Sequence, residues 1–228
     1  MSPDIVLSFD LDDTLYDNTP VIYSAFERLY LYLCDNYPNI KQHYINVDDF
    51  IAGATLNRNR YPNIVDFQEI RHRHIADCLT ESGYRDYDIE AAYQVFFEAR
   101  QAVKLFPDVM PTLHELSQRF RLVGISNGNA EPRRIGLGTL LTEHFNPHSC
   151  GFAKPDPQMY QWVCNKLAIE PQQLVHIGDC LTNDVAAAQA AGCQAIWFNP
   201  TKIPYQDGPN IQRISQLIKL TSTRDKGS

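Results

Sequence analysis

The chain has 228 residues, with 27 acidic against 20 basic side chains and a formal net charge of -7 at pH 7. This acidic balance, without any dense Lys/Arg stripe, counts against a nucleic-acid partner, while 44% hydrophobic and 21% charged residues make an ordinary globular composition with enough apolar mass for a real core. The six cysteines are scattered, with no C-x-x-C pair; that rules out zinc-ligand spacing, argues against a disulfide framework in a chain this long, and predicts reduced thiols in a cytoplasmic protein.

The start, Met1-Ser2-Pro3-Asp4, has no basic segment, and the apolar run behind it is too short for a signal peptide or a membrane span, so no membrane partner is expected. That run, Ile5-Val6-Leu7-Ser8-Phe9, predicts a buried strand. From Tyr16 to Lys104 the pattern turns helical. Asn18-Thr19-Pro20 supplies a cap and a proline at the first helical position, and Ile22, Phe26, Leu29 and Leu33 form the apolar stripe. Further helices are predicted over 47–57, 65–82 and 89–104, separated by Tyr61-Pro62-Asn63 and Gly83. A helix over 111–119 then leads into a strand at 121–125. Asp156-Pro157 reads as an N-cap and first position of a helix carrying Tyr160, Val163, Cys164 and Leu167. Strands are predicted at 174–177 and 194–198, around an Ala-rich helix over 183–191 that ends at Gly192, with Asn183 a candidate N-cap. Residues 221–228 are polar and expected to form a flexible tail. The fold class is therefore α/β. A Rossmann-like parallel sheet core is formed by 1–15 and 105–228, and 16–104 is an inserted all-helical cap domain.

Four polar signals fall at the ends of these strands or in the loops between them. They are Asp10-Leu11-Asp12-Asp13-Thr14, Ser126-Asn127-Gly128-Asn129, Lys154-Pro155, and Gly178-Asp179 with Asn183-Asp184. Asp is depleted in strands and a buried carboxylate is costly unless paired, so a strand running into two carboxylates places them at its end, where open parallel sheets bind ligands. Alternation turns Asp10 and Asp12 the same way and Asp13 away from them, as a loop or capping residue. The set suits phosphoryl transfer. Carboxylates alone repel a phosphate dianion by ~4 kcal/mol per pair at 4 Å in an effective dielectric near 20. A divalent cation held by Asp10, Asp179 and Asp184 reverses that sign, and Mg²⁺ prefers such a ligand set. Lys154 adds positive charge, and Ser126 with nearby backbone N–H groups adds donors. One aspartate can then attack phosphorus while Asp12 serves as acid and base.

These four stretches, in this order and extending to Gly178–Asp184, resemble the ordered motifs of the haloacid dehalogenase superfamily, and the resemblance covers essentially the whole chain, including a helical cap after the first strand. It implies Asp10 as the nucleophile that becomes an aspartyl-phosphate, Asp12 as general acid/base with its backbone carbonyl on Mg²⁺, and Ser126 holding the transferring phosphoryl group. It further implies Lys154 neutralising nucleophile and phosphate, and Asp179 and Asp184 ligating Mg²⁺, the latter directly or through water. Asn127 and Gly128 are expected to join Ser126 and Lys154 in binding substrate; Gly128 and Asn129 equally suit a plain turn at positive φ. The runs FDLDDTLYDNTPVI and ISNGNAEPRRIGLG are similar to the bacterial flavin-pathway subgroup, which dephosphorylates 5-amino-6-(5-phospho-D-ribitylamino)uracil and also FMN. The expected function is a Mg²⁺-dependent phosphomonoester hydrolase acting on a small phosphorylated metabolite, as monomer or homodimer. Its cap is expected to close over the substrate and open to release product. Alternatives are a 2-haloacid dehalogenase or phosphomutase on the same fold, and a non-catalytic regulator that binds a phosphorylated ligand.

Other features have plainer readings. Thr14 is expected to support its own turn. The Arg71-His72-Arg73-His74 run on a helix cannot converge on one ligand and is expected to be a solvated face. Gly136-Leu137-Gly138 lacks the spacing of a dinucleotide fingerprint. Tyr30, Tyr32, Tyr37, Tyr44 and Tyr61 could stack on a planar substrate, or simply pack.

Overall fold

The computed structural model describes residues 5–224. They fold as two compact units, one made of the residues up to Asp17 and those from Lys104 onward, the other of Asn18–Val103.

The first unit is built on a parallel sheet. Its strands are β1 (Val6–Phe9), β2 (Arg121–Ile125), β3 (Glu143–Phe145), β4 (Leu174–Gly178), β5 (Gln194–Phe198) and β6 (Asn210–Ile211), in the order β3-β2-β1-β4-β5-β6. The central strands β1 and β4 are buried throughout and apolar but for Ser8 and His176, as suits strands covered on both faces. Two edge strands escape prediction. β3 reads Glu-His-Phe and β6 has two residues, so neither presents the apolar run that marks a covered strand. β1 pairs with β2 on one side and β4 on the other, with Phe9 opposite both Gly124 and Ile177.

The second unit is all helical: α1 (Asn18–Asn36), a 3₁₀ turn (Pro38–Gln42), α2 (Val47–Arg60), α3 (Phe67–Glu81) and α4 (Ile89–Arg100). Asn46, Asp66 and Asp88 cap α2, α3 and α4 through their side chains, the short polar residues that such positions favour. Leu29, Leu33, Phe50, Ile75 and Phe96 form its interior. The tyrosines pack: Tyr30 donates to the Tyr44 carbonyl at 2.9 Å, Tyr44 meets Phe50 edge-on, and Tyr37 meets Tyr84 edge-on. The Arg71–His74 run corrects expectation. Only Arg73 is exposed. His74 is fully buried against Asn57 and Cys78, and the Arg71 guanidinium lies over the Phe26 and Phe96 rings, 4.1 and 4.4 Å from their centroids. Helical geometry rightly forbids convergence, but three of the four side chains find separate partners in neighbouring helices.

The remaining helices belong to the first unit: α5 (Val109–Ser117), α6 (Pro147–Cys150), α7 (Pro157–Leu167), α8 (Ala187–Ala190) and α9 (Gln216–Arg224). Asp156 caps α7 as the sequence predicts. The Ala-rich helix does not start at Asn183. A π turn over Leu181–Ala186 precedes α8, and its N-cap is Cys180, whose sulfur accepts from the Asn183 N–H. Its end matches expectation: Gly192, at φ +84, donates to the Gln189 carbonyl while Cys193 donates to that of Ala188, a left-handed closure suited to glycine. Thr221, expected to begin a frayed tail, lies in α9 with its hydroxyl on the Leu217 carbonyl at 3.0 Å; the rest of that expectation, 225–228, lies outside the described residues. All six cysteines are free.

Candidate active site

Asp10 and Asp179 each follow the last residue of a central strand, β1 and β4, and the Asp10 N–H donates to the Ile177 carbonyl at 2.8 Å, extending the pairing by one residue. The chain winds outward from β1 to β3, then returns to start again at β4. The two carboxylates therefore leave the sheet at the point where its winding reverses, the crevice in which open α/β sheets bind ligands. Asp184 comes from the π turn and folds back, its Oδ2 accepting the Cys180 N–H at 2.9 Å. Gly178 makes room for it: a Cβ there would collide with the Asp184 carboxylate carbon.

Lys154 ties two of these acids together. Its Nζ lies 2.7 Å from Asp10 Oδ1 and 2.6 Å from Asp184 Oδ1, and donates to the Ile125 carbonyl at 3.1 Å. All three side chains are buried. Asn127 holds the lysine's backbone: its Nδ2 donates to the Lys154 carbonyl at 2.7 Å and its Oδ1 accepts the Lys154 N–H at 2.8 Å. Both polar atoms of the Asn127 side chain are thus engaged by the Lys154 backbone, which fixes the loop that carries the lysine. Ser126, buried after β2, accepts the Gly128 N–H at 3.1 Å on its hydroxyl, which remains able to donate. Gly128 and Asn129 are not in the left-handed region. Ser126 bonds neither Asp10 nor Lys154; it stands one residue beyond the carbonyl to which the lysine donates.

Asp12 is half-buried, and its Oδ1 accepts the Tyr16 hydroxyl at 2.5 Å. Asp13 is exposed and adopts φ +58, the left-handed turn conformation that Asp tolerates. Thr14 serves the site rather than its own turn, donating to Asp179 Oδ1 at 3.3 Å. Two buried residues beneath the site were not picked out from the sequence. Ser8 and His176 face each other across β1 and β4; the Ser8 hydroxyl meets His176 Nδ1 at 2.9 Å, and His176 Nε2 meets Asp184 Oδ1 at 3.1 Å. Burial lowers the His176 pKa, which keeps the ring neutral, so the network assigns its single proton to Nε2, donating to Asp184. A usable signal existed: one polar residue inside each of two otherwise apolar strands.

Burial pushes Asp10 well above the ordinary carboxylate range; Lys154 opposes this, while Asp184 and Asp12 add to it. Burial also acts to raise Asp184, but Lys154 and His176 outweigh it and hold that carboxyl below its ordinary value. Lys154 is likewise disfavoured by burial, yet Asp10 and Asp184 hold it above an ordinary lysine. Asp179 is raised to about 6 by burial, then by the charges of Asp184 and Asp13. One ammonium thus serves three acids whose oxygens all lie within 4.8 Å of one another. At that separation and an effective dielectric near 20, each pair of full charges repels by roughly 3.5 kcal/mol. An all-oxygen donor set with surplus negative charge fits a hard divalent cation.

A parallel sheet with an acidic, lysine-bridged crevice at its switch point, together with a helical insertion, defines an α/β protein of the kind that binds ligands at its strand ends. The family described as haloacid dehalogenase-like hydrolase matches residues 6–192. The chain is 33% identical to the 5-amino-6-(5-phospho-D-ribitylamino)uracil phosphatase YigB of Escherichia coli (strain K12), over 95% of this chain and 94% of that protein. It is 24% identical to the glyceraldehyde 3-phosphate phosphatase of Methanopyrus kandleri, over 87% of this chain and 84% of that protein. Among solved structures, the 2-haloacid dehalogenase of Pseudomonas syringae pv. Tomato DC3000 superposes with a TM-score of 0.85 at 30% identity, covering 96% of this chain and 99% of that one. The magnesium-bound HAD-hydrolase YfnB of Bacillus subtilis superposes at 0.67 and 22% identity, covering 97% and 100%, a likeness of fold. The chain belongs to the haloacid dehalogenase-like hydrolases. Among the described residues no helix is long and apolar enough to cross a membrane.

Proposed function

We propose that this hydrolase is a Mg²⁺-dependent phosphomonoesterase that forms an aspartyl-phosphate on Asp10. The observation that carries this reading is the Lys154 bridge between Asp10 and Asp184, with Asp179 completing an acidic cluster. Asp10, Asp179 and Asp184 would hold the cation, with the Asp12 backbone carbonyl as a further ligand. When bound, Mg²⁺ neutralises the phosphate dianion and the surplus carboxylate charge. The rest falls to the chain. Lys154 keeps Asp10 beside a positive charge, which favours its ionised, nucleophilic form. Asp10 then forms a bond to phosphorus as the ester P–O bond breaks, and Asp12 delivers a proton to the departing oxygen. Ser126 and the backbone N–H groups after it donate to the transferring phosphoryl oxygens. Asp12, left ionised, takes a proton from water as that water's oxygen bonds to phosphorus and the bond between Asp10 Oδ and phosphorus breaks, releasing inorganic phosphate and restoring the Asp10 carboxylate. The likeness to YigB supports a small phosphorylated metabolite as substrate, with 5-amino-6-(5-phospho-D-ribitylamino)uracil first and FMN second.

A dehalogenase reading has one observation in its favour, the 0.85 superposition on a protein described as a 2-haloacid dehalogenase. That chemistry releases halide without a metal and without a proton donor to the leaving group. Asp12 and the three-carboxylate cluster have no task in it, so phosphate ester hydrolysis accounts for more of the site. A panel of metabolite phosphates with and without Mg²⁺, beside a 2-halo-acid assayed for halide, separates the two. We expect Mg²⁺-dependent phosphate release and its loss by a factor of at least ~10³ in Asp10→Asn. Halide release, or an Asp10→Asn enzyme working at the parent rate, would overturn the reading.

A further inference from the structure

Tyr16 is the residue that the functional reading leaves unexplained. Its side chain is fully buried, and its hydroxyl donates to Asp12 Oδ1 at 2.5 Å, the short end of the O–H···O range. The backbone is set from two sides. Asp13, at φ +58, reverses the chain; the Leu15 N–H closes the turn on the Leu11 carbonyl at 2.9 Å. Tyr16 then bridges both Asp12 and Leu105, while the Leu15 carbonyl accepts the Phe106 N–H at 2.9 Å. The phenol therefore has little freedom to leave Asp12, and Asp12 little freedom to turn Oδ1 elsewhere.

We infer that Tyr16 is a positioning residue for proton transfer: by occupying Asp12 Oδ1 it confines the transferable proton to Oδ2 and fixes where that oxygen points. This rests on Asp12 acting as the general acid. In the step concerned, the Asp10–phosphorus bond forms and the ester P–O bond breaks, leaving its electron pair on the departing oxygen. The proton moves from Asp12 Oδ2 to that oxygen, and Asp12 is left ionised with Oδ1 still accepting from Tyr16. A hydroxyl needed merely to satisfy a buried phenol would make no difference to this transfer.

The leaving group distinguishes the two roles. An aryl phosphate expels a stable phenolate with little help, whereas an alkyl phosphate needs its oxygen protonated as it leaves. We compare Tyr16→Phe with parent enzyme, using kcat/KM for 4-nitrophenyl phosphate and for an alkyl ester, FMN or glycerol phosphate, at saturating Mg²⁺. The expected result is a loss of about tenfold or more on the alkyl ester, the worth of a hydrogen bond to a charged group, with a loss of less than about threefold on the aryl ester. Asp12→Asn is the control and should discriminate more strongly in the same direction. Equal losses on both esters, or none on the alkyl ester, while Asp12→Asn still discriminates, would overturn the role of Tyr16. An Asp12→Asn enzyme without discrimination would instead remove the general acid itself, and failure of the parent on both esters would remove the phosphatase reading.

Discussion

Replacing Asp179 by asparagine removes one of three clustered negative charges while leaving an oxygen to accept from Thr14. In the metal-free protein the folded pKa, about 6, lies above the ordinary value of 3.8. Between those values the folded chain holds a proton that the unfolded chain has released, so this group makes stability fall as pH rises from about 4 to 6. At ~1.4 kcal/mol per pH unit the gap corresponds to roughly 3 kcal/mol. Asp179 is only half-buried, and solvent screening reduces the figure to ~1–2 kcal/mol. Without metal at pH 7.5, Asp179→Asn should therefore be more stable than the parent by that amount, and the advantage should fade by pH 4.5. Magnesium should invert the order. At a hundred times its Kd a ligand bound to the native state alone adds ~2.7 kcal/mol, and the variant, short of one carboxylate, should gain much less. Urea unfolding at both pH values, in EDTA and in excess Mg²⁺, reads all four quantities. A variant less stable than the parent without metal at pH 7.5, or one that gains as much from Mg²⁺, would refute the reasoning.

Asn127→Ala strips both hydrogen bonds from the Lys154 backbone, and should cost about 1–3 kcal/mol in urea unfolding together with a fall in kcat as the ammonium loses its fixed position; unchanged kcat would show that the lysine needs no such brace. Gly178→Ala drives a methyl into the Asp184 carboxylate, and should lower stability by about 1–3 kcal/mol and weaken Mg²⁺ binding measured by calorimetry, whereas parent-like affinity would mean that Asp184 is not held by this contact.

The site was legible because its residues break local rules. Two aspartates ending an apolar strand, a lysine before a proline, and Gly-Asp after a strand are poor choices for packing and good ones for charge. Those residues also lie in four short segments whose order the sequence preserves. What it could not carry was the pairing between segments. Asn127 and Lys154 are bonded across 27 residues, and Thr14 and Asp179 across 165. Neither Asn127 nor Thr14 looks different from an ordinary turn residue before its partner is known. Arg71 and His74 failed for the same reason: one helix viewed alone offers no rings for a guanidinium to cover and no Asn57 for an imidazole to meet. Strands β3 and β6 were missed because they are too short for periodicity to register, and the π turn because Asn183 is a better N-cap by type than Cys180.

The buried polar chain beneath the crevice has its own logic. From Ser8 the bonds run through His176 to Asp184, then through Lys154 to Asp10. Each member is buried, so each would be costly alone. In sequence they satisfy one another: a neutral donor steadies Asp184, which stays ionised, and Asp184 then shares the lysine with Asp10. The lysine is consequently committed to the site whatever occupies it, and Asp10 faces a fixed positive charge rather than a mobile one. In the proposed reaction Asp10, set this way, would not have to reorganise its surroundings when a phosphate arrives, which is the property that makes preorganised charge effective in catalysis. Because the chain is anchored in paired positions of β1 and β4, that geometry is tied to the register of the sheet itself.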